Sequence, residues 1–193
     1  MTTVTRKPRR GPRKATPQYL QNAALYYLER YASSAENLRR VLMRRVELSA
    51  RAHDTDRDEG ARQVDAIIRR CLDNGLLDDS RYASARVRSL ARRGDSPRAI
   101  RAKLAQKGVP EDAVEAAFAE LVEETPDPEL RSAVRLARRR RLGPFRPDET
   151  RAGHKDRDLA ALARAGFSFD VARRVIEAPD IAALDQLVAK AGS

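Results

Sequence analysis

The sequence predicts an all-α protein, on three observations. Ala is the most common apolar residue and Arg outnumbers Lys 33 to 6, and both Ala and Arg are good helix formers. Aromatic residues make up 5% and Trp is absent, so the residues that favour strands are sparse. Apolar residues recur at helical spacing along the chain, between Ser/Thr-Pro starts and Gly stops. A length of 193 residues with 41% hydrophobic content provides for a buried core.

The elements follow in order. Thr16-Pro17 resembles an N-cap with proline at the first helical position. Leu20, Ala24, Tyr27, Leu28 and Tyr31 then form one face. Ser33 or Ser34 offers a fresh cap for a helix carrying Leu38, Val41, Leu42 and Val46. Residues 49–60 are polar and mostly charged and read as a loop closed by Gly60. A helix from about Ala61 to Asn74 carries Val64, Ile67, Ile68, Cys71 and Leu72, and Gly75 suits the left-handed position that ends it.

Asp78-Asp79-Ser80 places carboxylates at the positive end of the next helix, whose apolar positions are Tyr82, Ala83, Val87, Leu90 and Ala91. Ser96-Pro97 starts a short helix with Ile100 and Leu104, stopped by Gly108. Val109-Pro110 opens another with Val114, Ala117, Phe118 and Leu121. A helix over about Glu129–Arg141 cannot continue through Gly143-Pro144. Leu159 and Leu162 mark a helix stopped by Gly166, Ser168 caps the next, and Asp180–Ala189 is a short terminal helix.

The pattern repeats. Ser34, Leu38 and Leu42 have counterparts in Ser96, Ile100 and Leu104, and Lys107-Gly108-Val109 has one in Ala165-Gly166-Phe167. The expected organisation is a disordered basic tail over 1–16, then helical repeats over 17–76, 77–125 and 126–193. A single three-helix unit buries little by itself, so neighbours are expected to stack.

The formal net charge is +11, of which the tail holds +6. Residues 81–107 carry nine bases and one acid, residues 108–125 six acids and no base, and residues 131–141 six Arg and no acid. Such alternation suits an extended surface matched to a charged partner better than a uniformly basic one. No apolar run is long enough to span a bilayer, and the N-terminus lacks the apolar segment of a signal peptide. A lone Cys71 forms no internal disulfide and completes no Cys-rich zinc site, so a reducing cytoplasm is expected.

Gly75-Leu76-Leu77-Asp78-Asp79-Ser80-Arg81-Tyr82-Ala83 resembles the signature of the RecX regulators of the RecA recombinase. Val87-Arg88, Pro97, Ile100, Leu104 and Lys107-Gly108-Val109 fall where that family's second repeat has similar residues. The resemblance implies three tandem three-helix repeats forming an elongated, curved right-handed array. It also implies a bacterial, non-enzymatic modulator that binds the groove of the RecA–single-stranded DNA filament and restrains its ATPase, strand-exchange and co-protease activities.

Candidate contacts are the cations of the two basic blocks. Arg81, Arg88 and Arg92 share one helix face, Arg86 and Arg93 flank it, and Arg98, Arg101, Lys103 and Lys107 extend it. Arg135, Arg138 and Arg139 form the second block. The planar Arg fork suits carboxylates and phosphates alike. The competing reading is a solvated face with local ion pairs, worth about 0–1 kcal/mol each. One reading has Tyr26, Tyr27 and Tyr82 stacking on bases, and the other, favoured by helical spacing with Leu20 and Leu90, has Tyr27 and Tyr82 anchoring the core.

His53 and His154 are far apart with no metal-ligand spacing. No glycine-rich phosphate loop is found, so neither catalysis, nor a metal, nor a cofactor is expected. Two other readings stand beside the filament regulator, which is expected to be monomeric when free. One is an autonomous DNA-binding helical module, and the other an adaptor for an acidic protein.

Overall fold

The computed structural model describes residues 11–190, and all regular structure among them is helical. The backbone divides into two compact units with the boundary between Asp78 and Asp79.

The first unit consists of α1 (Pro17–Arg30), α2 (Ala35–His53) and α3 (Arg57–Asp73). Thr16 caps α1 by accepting from Tyr19 N–H at 3.2 Å, and Ser34 caps α2 by accepting from Asn37 N–H at 3.2 Å. Leu20, Leu38, Leu42, Val46, Val64 and Ile67 fill the core. Cys71 lies in it too, and burial pushes its thiol up from the ordinary value. Tyr31 and Leu72, which the helical stripes place inward, are exposed. Tyr27 packs on the core edge and its hydroxyl accepts from Asn37 Nδ2 at 3.0 Å.

Residues 49–60 depart most from expectation. α2 runs on to His53 and α3 starts at Arg57, so the joint is only Asp54–Asp56. Charged residues do not themselves break helices. Asp56 caps α3 early, accepting from the N–H groups of Asp58 and Glu59 at 2.8 and 3.2 Å. Gly60 lies inside α3 and is buried, and a Cβ there would collide with Val46 Cγ1. Its function is close approach of α2 to α3, which offsets its poor helix propensity.

Residues 1–10, most of the expected tail, lie outside the described residues. The tail's last residues are described. Ala15 is buried and its N–H donates to Ser49 Oγ at 2.8 Å, and His53 Nε2 bonds the Pro12 carbonyl at 2.6 Å.

The second unit begins with α4 (Asp79–Arg92), α5 (Pro97–Gln106) and α6 (Glu111–Glu124). Their core holds Val87, Leu90, Ile100, Leu104, Val114 and Phe118, with Tyr82 against its edge. It continues with α7 (Pro128–Arg140), α8 (Asp148–Arg151), α9 (Lys155–Arg164), α10 (Phe169–Ile176) and α11 (Ile181–Lys190). A second core there holds Leu130, Leu136, Leu162, Phe167, Val175 and Leu184. Short 3-10 turns at Gly143–Phe145 and Ala152–His154, together with α8, occupy a stretch whose sequence shows no periodicity. Gly75, Gly108 and Gly166, read as helix stops, all have positive φ, at 68°, 67° and 89°.

Gly94 joins the two sets of helices. Its φ is +84°, and a Cβ would lie 3.1 Å from both Leu136 N and Ser132 O on α7. Ser132 Oγ returns a bond to the Ala91 carbonyl at 3.1 Å. Ser96 Oγ accepts from Ala99 N–H at 3.1 Å and donates to the Ala165 carbonyl at 2.6 Å.

Candidate functional site

The cations expected to form the binding surface sit on α4, α5 and α7, but not as one free strip. Arg88 turns toward α6. Its Nε donates to Glu124 Oε2 at 2.8 Å and its Nη2 to Glu120 Oε2 at 3.2 Å. The Arg88 guanidinium holds the Glu124 carboxyl below its ordinary value. Arg101 pairs with Glu115 through two bonds of 2.7 and 2.8 Å and lies 4.2 Å over the Phe118 ring. Glu115 is held low by that bond. Lys103 bonds Asp95 at 2.7 Å. The acidic run of α6 thus supplies local partners for part of the basic run before it.

On α7, Arg138 reaches Asp185 at 3.6 Å and stands 5.3 Å over Phe145. Arg139 donates to the Arg93 carbonyl at 2.5 Å, and Arg135 makes a long bond of 3.4 Å to the Ala91 carbonyl. These two place positive charge at the carbonyl end of α4, where the helix dipole favours it.

Arg86, Arg92, Arg93 and Arg98 take no ion-pair partner among the described residues. Arg92, Arg93 and Arg98 are exposed, as are Arg81 and Lys107. These side chains belong to α4, the α4–α5 turn and α5, which the core fixes through Val87, Leu90, Ile100 and Leu104.

Sequence reading missed the best-buried charge. Asp158 is 1% exposed and takes Arg146 in two bonds of 2.8 Å, with Gly143 N–H donating at 2.8 Å. Burial alone raises its carboxyl pKa, but Arg146, Gly143 N–H and the neighbouring charges together hold it below the ordinary value. Arg151 similarly donates to the carbonyls of Ile176, Ala178 and Pro179. Both ties are structural. No cluster of three or more His, Cys, Asp or Glu that could hold a metal occurs among the described residues, and no helix there is long and apolar enough to cross a membrane.

The regulatory protein RecX of Myxococcus xanthus strain DK1622 is 47% identical over 174 residues, covering 89% of this chain and 91% of that protein. The chain belongs to the RecX family of regulatory proteins. The RecX of Agrobacterium fabrum strain C58 is 36% identical over 175 residues, covering 84% of this chain and 87% of that one. The family pattern described as RecX, second three-helix domain, matches residues 78–117, which span α4, α5 and the first half of α6. The crystal structure of RecX from Lactobacillus salivarius superposes with a TM-score of 0.59 at 23% identity, over 83% of this chain and 94% of that one. The RecX fold therefore carries the basic surface of α4 and α5 within its matched domain.

Proposed function

We propose that this chain binds the groove of the RecA–single-stranded DNA filament in the bacterial cytoplasm and restrains its ATPase, strand exchange and co-protease activities. The supporting observation is 47% identity to a RecX regulator, with exposed cations on α4 and α5 inside the matched domain. In this reading residues 17–76, 77–125 and 126–193 act as three repeats of a non-enzymatic, monomeric protein. The cations of α4, α5 and α7 described above meet filament carboxylates and phosphates.

The deciding measurement is ATP turnover by recombinase on single-stranded DNA, with and without stoichiometric protein. Turnover should fall with the chain present, and unchanged turnover and filament length would refute the proposal. Arg88 is already bound to α6, so reversing it would set three carboxylates together. Reversal of Arg92 and Arg93 to Glu is the cleaner test. The double variant should keep its helicity by circular dichroism and inhibit less. Equal inhibition would assign both side chains to a solvated face.

An autonomous duplex-binding module has less support. α5, the helix that would have to serve for recognition, is only 10 residues long.

A further inference from the structure

We propose that a notch between α4, the end of α6 and the start of α7 is a phosphate-binding site that takes backbone phosphodiesters of single-stranded DNA. The notch encloses about 100 Å³, and Arg88, Arg92, Arg135, Glu124 and Thr125 line it. Three Arg side chains therefore line it with one carboxylate, and that carboxylate already gives both oxygens to Arg88, which also reaches Glu120. Arg92 has no ion-pair partner among the described residues, and Arg135 has only its long bond to a carbonyl.

Two of the three charges, those of Arg92 and Arg135, take no carboxylate among the described residues. Burial, then Arg131, then Arg92 push the Arg135 guanidinium below its usual value. An Arg remains charged at any physiological pH. A bound anion would offset this repulsion, and loss of a proton would not. Leu121 and Ala91 are apolar members of the lining, and a drier wall strengthens a charge-assisted bond. Forks arriving from two helices suit a tetrahedral oxyanion with several acceptor oxygens better than a flat carboxylate with two. Phosphate recognition needs only the geometry. The choice of single-stranded DNA as its source rests on the filament reading above.

The test uses the full chain and a fluorescein-labelled oligothymidylate, by anisotropy at about 50 and about 200 mM salt, without recombinase. Arg92→Ser should bind about tenfold more weakly, the loss of one charge-assisted contact. Its salt dependence should be shallower by about 0.7 in log–log slope. Arg164→Ser removes an equal charge from exposed α9 and should bind as wild type does. Glu124→Gln removes the negative charge from the notch lining and should bind more tightly.

Absence of wild-type binding at the lower salt would overturn the proposal. So would equal losses in Arg92→Ser and Arg164→Ser, which would show a diffuse basic surface. Competition by an uncharged peptide nucleic acid of the same sequence would show base recognition. Displacement by polyglutamate as readily as by unlabelled oligothymidylate would assign the notch to a protein carboxylate. Loss of ATPase regulation with oligothymidylate binding intact would instead strike the filament reading alone.

Discussion

Helices α4–α6 and α7–α11 lie in one compact unit yet use the same chemistry differently. In α4–α6 the guanidinium–carboxylate pairs sit on the surface, as Arg88–Glu124 and Arg101–Glu115 do with both partners substantially exposed. In α7–α11 the governing pair is Arg146–Asp158, with the carboxylate almost wholly covered. An exposed pair contributes little and is open to exchange with an outside anion. A buried pair fixes one arrangement, because breaking it strands a charge. The pairs of α4–α6 therefore have the chemistry of an interaction surface, and the Arg146–Asp158 joint that of a scaffold.

The strongest way to break this contrast is Asp158→Ala. It leaves Arg146 without its partner and Gly143 N–H without an acceptor, and should cost about 3–5 kcal/mol in denaturant unfolding. A loss no larger than that from an exposed pair would erase the distinction. The pH dependence follows from the sign of the shift. The folded carboxyl pKa lies below the ordinary 3.8, so its contribution is complete above that value and is lost as pH falls through the lower folded one. The difference between wild type and variant should close only in that acid range.

Leu104→Ala comes next. Leu104 is 1% exposed in the core of α4–α6, and truncation should lower stability by about 2–5 kcal/mol through lost burial and a residual cavity. That result would show that apolar packing, not surface charge, holds these helices. An unchanged denaturation midpoint would overturn it. The smallest effect belongs to the Arg101–Glu115 pair. A double-mutant cycle should give a coupling of at most about 1 kcal/mol, reduced by salt. A larger, salt-insensitive coupling would place that pair with Arg146–Asp158.

What could be read from the sequence was local. Thr16, Ser34, Ser96 and Ser168 each cap a helix where expected, because a cap needs only the next three residues. The core stripes of Leu38, Leu42, Ile100 and Leu104 follow helical periodicity in the same way. Tertiary choices were hidden. Gly60 reads locally as the end of a loop, and only the approach of Val46 shows its purpose. Arg88 meets Glu124 across 36 positions, a pairing that charge runs suggest but cannot register. Asp158 lies among Lys155, Asp156 and Arg157, a stretch that reads as a solvated face. Which cations remain unpaired depends on these same long-range contacts, so the charge blocks point to Arg88, Arg92 and Arg135 but not to their meeting at one notch.

The Ser96 hydroxyl has a thermodynamic consequence. One oxygen ends two structures, capping α5 through Ala99 and closing the turn after α9 through Ala165. Fraying of the α5 start would carry Ser96 away and leave the Ala165 carbonyl without its donor. The two cores of this unit are thereby linked in their opening as well as in their packing. A ligand that steadies α4 and α5 would slow amide exchange around Ala165 and Phe167, far along the chain from where it bound.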